Sequence, residues 1–383
     1  MKIVMDFRKY DGVVGGVEQG VFQVTKYLTG HEHTVVMLCK KNRLSETGEL
    51  FNGFINLKIV PLDVTTHIIS NRNSLLDATV IQDIAEEESA DAIHFPYNWS
   101  FPSAKKAPSV LTIHDVIPFT FREAQSLYTN LFKYRPSLRR AGRLNDMVAT
   151  VSEFSKSDIA VKVGIPLSKI RVIYNGLREP NPPSRDLEAQ LRERWGLGEG
   201  FVMNVGGIHE RKNVVRVVQA YAGLIEKQGY RGKLVITGKA SGAPYQDRMR
   251  RLCDRGIREA GVEERVVFTE FISEEELDSL FRMSDMLVYP SLYEGFGIPV
   301  LEAMKVGVPV VTSNTSAIPE VAGGAALLVD PTDVQALSAA MARVLNDKSL
   351  RAELKAKGIE RAREFTWDRN AESYLAIYKA LAE

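Results

Sequence analysis

Glu294 and Glu302 are separated by seven residues, Gly295-Phe296-Gly297-Ile298-Pro299-Val300-Leu301, and this composition demands a loop that turns into a helix. The two glycines free the backbone. Pro299 suits the first helical position, where its missing N–H costs nothing. That placement puts Glu302 in the first helical turn and leaves Glu294 at the end of the preceding strand, so the two carboxylates do not share a helix face. Strand, glycine loop and helix N-terminus together aim backbone N–H groups at one spot, which favours a phosphate. A carboxylate on each side then suits hydroxyl-rich groups flanking that phosphate. A diphosphate joined to a ribose on one side and a hexose on the other has this shape. An ordinary βαβ unit with solvated glutamates satisfies the same spacing.

Around this core lie Tyr289-Pro290-Ser291-Leu292-Tyr293 before Glu294, and Ala303-Met304 and Gly307-Val308-Pro309-Val310-Val311 after Glu302. The whole segment resembles the Glu-x7-Glu signature of retaining glycosyltransferases of family 4. The resemblance implies the GT-B architecture of two Rossmann-like domains, with Glu302 on the ribose hydroxyls and Glu294 on the hexose. It also implies donor contacts from Gly295, Phe296, Gly297, Ile298 and Leu301.

A second glycine turn, Gly206-Gly207-Ile208-His209-Glu210-Arg211-Lys212-Asn213, follows an apolar strand and opens onto a helix containing Val214, Val217 and Val218. Two cations at a helix start are unfavourable beside the positive end of its dipole unless an anion is bound there. A solvated pair is the alternative. Gly206, Gly207, Arg211 and Lys212 resemble the family's donor-diphosphate site, whose Arg-Lys pair neutralises the leaving group. Some members carry an arginine where Gly207 stands, which leaves more of the charge work here to Arg211 and Lys212.

In the first half, Gly15-Gly16-Val17-Glu18-Gln19-Gly20 follows the first strand. The Gly-x-Gly-x-x-Gly spacing is missing and no acidic residue ends the second strand in the expected place, which argues against a NAD-dependent dehydrogenase. Gly15 and Gly16 resemble the family's loop over the donor phosphate and sugar, although a tight turn would require the same glycines. His114, in Thr112-Ile113-His114-Asp115-Val116-Ile117-Pro118, ends a buried strand and resembles the family's donor-sugar histidine. Asp115 either orients that imidazole or caps the next turn. Phe271 and Ile272 fall where the family cups the nucleotide base with backbone groups. Ser152-Glu153-Phe154-Ser155, Tyr174-Asn175-Gly176 and Pro319-Glu320-Val321-Ala322-Gly323-Gly324 extend the resemblance over nearly the whole chain.

The elements that must hold these residues are legible from apolar patterning. At 383 residues the chain suits two domains of about 150–200 residues. Short apolar runs alternate with helical patterns throughout, the signature of parallel sheets. Seven strands are expected before the proline cluster Glu179-Pro180-Asn181-Pro182-Pro183-Ser184 and six after it. This predicts an α/β fold of two doubly wound domains, 1–179 and 185–364, joined by a linker at 180–184 and facing a central cleft. A Thr-capped amphipathic helix over 365–383, in the resembling family, crosses back onto the N-terminal domain.

Apolar content of 45%, charged content of 25% and a net charge of +1 describe a globular chain and give no support to nucleic-acid binding. No apolar run reaches membrane-spanning length, and Met1-Lys2-Ile3-Val4-Met5 reads as a strand, which leads us to expect a cytoplasmic protein. No Asp-x-Asp motif or metal-ligand spacing is visible, so no metal or other cofactor is expected. Cys39 and Cys253 read as packing residues.

The expected activity is retaining transfer of a hexose, mannose first, from GDP-mannose or a UDP-sugar to a glycan acceptor. Catalysis would fall to Glu294, His114, Arg211 and Lys212. A nucleotide-sugar epimerase or phosphorylase, or a non-catalytic sugar-nucleotide-binding protein, would use the same architecture. For the acceptor, Tyr97 and Trp99 in Phe95-Pro96-Tyr97-Asn98-Trp99-Ser100-Phe101-Pro102 could stack on sugar rings. Lys133, Arg135, Arg139, Arg140 and Arg143, with Leu127, Leu131, Tyr134 and Leu138 at helical spacing, form either a solvated helix or a face for a lipid-linked acceptor at the inner face of a membrane.

Overall fold

The computed structural model describes residues 1–64, 79–98, 105–121, 133–198, 200–239 and 244–383. The chain divides into two units, Met1–Gly176 with Phe365–Glu383, and Leu177–Glu364.

The first unit is built on a seven-stranded parallel sheet. Its strands are β1 (Lys2–Asp6), β2 (Thr34–Lys40), β3 (Leu57–Leu62), β4 (Ala92–Phe95), β5 (Ser109–Thr112), β6 (Met147–Thr150) and β7 (Ile170–Val172), in the order β3-β2-β1-β4-β5-β6-β7. Both faces are covered, so the central strands are buried on both sides and largely apolar. Alternate residues of β1 serve different cores: Val4 packs with Val36, Ile93 and Leu111, whereas Ile3 and Met5 pack with the helix Gly16–Gly30. The last helix, Trp367–Ala382, joins this second core through Ala371, Tyr374, Ile377 and Tyr378. Thr366 caps it by accepting the Arg369 N–H at 3.3 Å. Its first residue fills a space that only glycine leaves, since a Cβ on Gly176 would lie 2.5 Å from Trp367. Strand β7 begins two residues earlier than the apolar run Val172–Tyr174 suggests, because Ile170 is the fully buried residue that pairs with Val148, while Tyr174 is exposed.

The second unit repeats the plan with β8 (Phe201–Val205), β9 (Lys233–Thr237), β10 (Val266–Glu270), β11 (Met286–Tyr289), β12 (Val310–Ser313) and β13 (Leu327–Val329), in the order β10-β9-β8-β11-β12-β13. Both sheets reverse direction of growth once, at β1/β4 and at β8/β11. Ligands of doubly wound sheets bind beyond the strand carboxyl ends at such reversals.

The segment around the proline cluster is part of the second unit. Asp278 is buried, and a buried carboxylate requires partners. It receives Arg178 NH1 and NH2 at 2.7 and 2.6 Å, and the Asn181 backbone and side-chain N–H groups at 2.8 and 2.9 Å. Ser184 then caps the helix Arg185–Trp195. The division falls between Gly176 and Leu177, and 180–184 is anchored at both ends. Cys39 and Cys253 are buried free thiols in different units.

Candidate active site

In the second unit the reversal point is lined by the loops after β8 and β11. Gly206 and Gly207 leave β8 with φ of +111° and +72°, and both N–H groups bond the Thr237 carbonyl at the end of β9. The approach to the next loop is backbone on backbone. A Cβ on Gly207 would sit 2.6 Å from the Lys239 carbonyl oxygen, and one on Gly238 would sit 2.5 Å from the Gly207 nitrogen. A longer side chain at Gly207 is thereby excluded, and with it an arginine. The chain then passes through a 3₁₀ turn, Glu210–Lys212, to Asn213 in the left-handed region at φ +61°. The Asn213 amide donates to the carbonyls of Pro290 and Pro331 at 3.0 and 2.7 Å, and the Leu292 N–H donates to the Arg211 carbonyl at 2.7 Å. These bonds weld the loop after β8 to the loop after β11.

The weld brings the charged groups together. Glu294 Oε1 receives three donors: Arg211 NH1 at 3.0 Å, Lys212 Nζ at 2.8 Å and the Tyr289 hydroxyl at 3.0 Å. Lys212 also donates to the Tyr289 hydroxyl, and its Nζ lies 4.5 Å from the centroid of that ring. Glu294 and Lys212 are both buried. Burial pushes the Glu294 carboxyl up, but Lys212 and Arg211 outweigh it and hold the group below the usual carboxylate range. Two cations against one carboxylate leave this buried cluster net positive, which is the electrostatic condition for an anion site.

The helix after Glu294 starts at Ile298, with Gly297 as its N-cap at φ +106°. Pro299 is therefore the second helical residue, and Glu302 is the fifth, beyond the first turn. The glycine allows the chain to enter the helix one residue sooner than the proline alone suggests, and a Cβ there would strike Ile318 Cδ1 at 2.6 Å. Glu302 sits 3.6 Å from Arg178 Nε. Its pKa is raised by burial; Arg178 opposes this, and Asp278 and Glu274 add to it.

The other donor-site candidates divide by exposure. Phe296 and Leu301 have buried side chains. Gly295 is buried, and Ile298 and Ile272 are half-buried. Phe271 points its ring into solvent at 89% exposure. Among the described residues no group of three or more His, Cys, Asp or Glu is placed to hold a metal ion.

In the first unit, Gly16, Gly20, His94, His114, Asn175 and Trp367 share a small pocket. Neither Gly15 nor Gly16 has positive φ, and a Cβ on Gly16 would meet nothing within 4 Å, so a tight turn does not account for these glycines. Gly15 donates its N–H to Glu18 Oε2 at 3.0 Å. His114 Nε2 lies 2.9 Å from the Pro96 carbonyl oxygen. A carbonyl only accepts, so Nε2 carries the proton and Nδ1 the lone pair. Burial lowers the His114 pKa and keeps the ring neutral. Asp115 accepts the Ile117 N–H at 2.9 Å, which makes it a turn cap.

Tyr97 is not a stacking platform. Its ring is buried and its hydroxyl donates to Glu18 Oε1 at 3.0 Å, tying the loop after β4 to the start of the first helix. Trp99, Leu127 and Leu131 lie outside the described residues. Arg135, Arg139, Arg140 and Arg143 line one surface pocket together with Lys162; Lys133 does not. Arg135 donates to the Phe119 carbonyl and Arg139 to the Val163 carbonyl, at 2.9 and 2.7 Å. Three residues that sequence reasoning passed over hold the rest in place: Tyr289, Arg178 and Asn98. The Asn98 side chain accepts the His114 N–H and donates to the Asp115 carbonyl. A polar residue beside a site motif is their only sequence signal.

Residues 14–178 match the family model described as Glycosyltransferase Family 4, and residues 188–361 match Glycosyl transferases group 1. The O-antigen chain mannosyltransferase B of Escherichia coli is 32% identical over 277 residues, which are 71% of this chain and 70% of that protein. A GDP-mannose-dependent alpha-(1-6)-phosphatidylinositol monomannoside mannosyltransferase of Mycolicibacterium smegmatis is 33% identical over 224 residues, 56% of each chain. The match spans only 33% of an Escherichia coli serotype-specific mannosyltransferase, at 27% identity. Among solved structures, a Rickettsia africae glycosyltransferase superposes with a TM-score of 0.75 at 17% identity, covering 100% of this chain and 98% of that one. Anabaena HepE in complex with UDP-glucose gives 0.74 at 20% identity, covering 98% and 100%; at such identities the likeness shows the GT-B fold alone. The chain belongs to the family 4 glycosyltransferases and is a glycosyltransferase.

Proposed function

We propose that this enzyme moves a mannosyl group from GDP-mannose, or in second place a hexosyl group from a UDP-sugar, to a hydroxyl of a glycan acceptor with retention of anomeric configuration. The observation that carries the reading is the convergence of Arg211, Lys212 and Tyr289 on Glu294 at the reversal point of the second sheet. A buried, net positive cluster suits a diphosphate, and a carboxylate fixed within it suits hydroxyl groups of the attached sugar. The mannosyltransferase relatives of Escherichia coli and Mycolicibacterium smegmatis favour mannose.

In this reading Arg211 and Lys212 stabilise the charge that develops as the bond from the sugar's anomeric carbon to the diphosphate breaks. Glu294 holds hexose hydroxyls and Glu302 the ribose hydroxyls. The neutral His114 offers Nδ1 as an acceptor to a donor-sugar hydroxyl, and Gly16 leaves room for the sugar. Gly15, Gly206, Gly207, Gly295 and Gly297 let backbone approach the donor, while the base rests against backbone at 271–272. The acceptor oxygen bonds to the anomeric carbon on the face the diphosphate leaves, and its proton passes to the departing phosphate oxygen. No metal is assigned to these steps.

The acceptor is a glycan, lipid-linked in the fuller form of the proposal. Trp99 remains the candidate stacking residue, and the pocket of Arg135, Arg139, Arg140 and Arg143 would face lipid phosphate at a cytoplasmic membrane surface. Among the described residues no helix is long and apolar enough to cross a membrane.

The test is a screen of GDP-mannose, UDP-glucose and other nucleotide sugars for thermal stabilisation, followed by NMR of the product's anomeric carbon. Stabilisation by GDP-mannose above UDP-sugars and an α-linked product support the proposal. Release of nucleoside diphosphate with inversion, or with no transfer to any glycan, overturns it.

A further inference from the structure

We infer that Tyr289 is a positioning residue for transfer, holding Lys212 and Glu294 in the arrangement that meets the departing diphosphate; the inference rests on the donor reading above. Tyr289 is the last residue of β11, buried at the carboxyl edge of the sheet. Its hydroxyl stands between two groups of opposite charge. It accepts a hydrogen bond from Lys212 Nζ and donates one to Glu294 Oε1 at 3.0 Å.

The hydroxyl has no freedom to reverse these roles. Glu294 is held as a carboxylate, which only accepts, and Lys212 as an ammonium only donates. Burial and the adjacent Glu294 charge push the Tyr289 pKa well above its ordinary value, so the phenol keeps its proton. The tyrosine thus acts as a one-way link from lysine to glutamate.

A lysine ammonium sits on a flexible four-carbon stem. Lys212 Nζ is held beside the ring by its hydrogen bond to the Tyr289 hydroxyl, 4.5 Å from the ring centroid. Its stem packs over the loop after β8, where a Cβ on Gly206 would touch Lys212 Cε at 3.0 Å. On Glu294 all three of these donors use Oε1.

Removing the hydroxyl alone should therefore disturb geometry while leaving charge intact. Diphosphate attraction by Arg211 and Lys212 persists, but alignment at the breaking bond is lost, and alignment acts on kcat. Glu294 also loses a donor to its charged form, so its pKa rises.

The experiment compares the parent with Tyr289→Phe, which keeps ring and volume, and Tyr289→Leu, which removes both ring and hydroxyl. GDP binding is measured by calorimetry, GDP release from GDP-mannose by steady-state kinetics across pH 4–8, and folding by thermal midpoint. The inference expects kcat of Tyr289→Phe to fall about 5- to 30-fold, with GDP affinity changed less than about 3-fold, the thermal midpoint kept, and the acid limb of kcat/KM moved to higher pH. It expects Tyr289→Leu to lose more again. Parent-like kcat and acid limb in Tyr289→Phe would overturn it. So would loss of GDP affinity in step with the thermal midpoint, because that pattern belongs to a residue that only supports the fold. A parent that binds neither GDP nor UDP and releases neither from any nucleotide sugar overturns the donor reading instead, before any variant is compared.

Discussion

Arg178 reaches Glu302 at 3.6 Å through Nε, while its two terminal nitrogens are committed to Asp278 at 2.7 and 2.6 Å. The arginine is shared unequally. Asp278 takes the short bidentate bonds, and Glu302 is left with a long contact that a ribose hydroxyl can replace at little cost.

Glu302→Ala should accordingly raise the donor KM by roughly 10- to 100-fold, the range of a hydrogen bond to a charged group, with a smaller change in kcat. A ribose contact binds ground and transition states nearly alike. Arg178→Met should behave differently, lowering thermal stability because it strips a buried carboxylate of its counter-ion. Steady-state kinetics beside thermal melts separate the two, and an unaltered donor KM in Glu302→Ala would remove Glu302 from the nucleotide site.

The first unit should weaken in mild acid through His94. Burial, and to a lesser extent nearby His114, lowers its pKa from 6.5 to about 3. The ring is bonded on both sides, Nε2 to Thr112 Oγ1 at 2.8 Å and Nδ1 to the Tyr378 hydroxyl at 2.7 Å. The unfolded chain takes up a proton near pH 6.5 that the folded chain refuses, so this stabilisation is complete above 6.5 and is lost as pH falls toward 3. The slope from one such group is about 1.4 kcal/mol per pH unit. Hydrogen exchange at the amides of β4 and β5 between pH 7 and 4.5 measures it, and His94→Phe should flatten the slope by that amount.

Gly207→Ala should lose both stability and activity. It combines φ of +72° with a Cβ 2.6 Å from the Lys239 carbonyl oxygen, a strain of about 1–3 kcal/mol and a drop in Tm of roughly 2–12 °C for a unit of this size. Gly229→Ala is the control, with φ of +63° and nothing within 4 Å of its Cβ. It should melt closer to the parent and keep its kcat, since Gly229 is remote in sequence from the loop that carries Lys212.

Turnover should survive chelation. The charge on the leaving diphosphate can be met by Arg211, Lys212 and backbone N–H groups. Activity lost in EDTA and restored by Mg²⁺ or Mn²⁺ would contradict this.

The sheets were legible because their chemistry is local. The strands are short, largely apolar runs, and β5, β7 and β12 are displaced from the runs that mark them by one or two residues; at β7 the exposed Tyr174 extends the apolar pattern past the paired residues. Glu294, Arg211 and Lys212 could be picked out because glycine turns mark the loops that bear them. What binds them to each other could not be read. Lys212 and Tyr289 are 77 residues apart and Arg178 and Asp278 are 100 apart, and a pairing made only by folding leaves no periodic trace. Tyr97 misled for the same reason. An aromatic residue between prolines suggests an exposed loop, and its burial depends on Glu18, 79 residues away.

The last helix fixes an order of events during synthesis. Residues 365–383 complete a core whose other members precede residue 177, and everything between them builds the second unit. On the ribosome the second unit is contiguous and can close as soon as it emerges. The first unit, although made earlier, waits with part of this core uncovered until Tyr374 and Tyr378 arrive. Shortening the chain before residue 365 should therefore expose apolar surface on the half synthesised first and leave the second half folded.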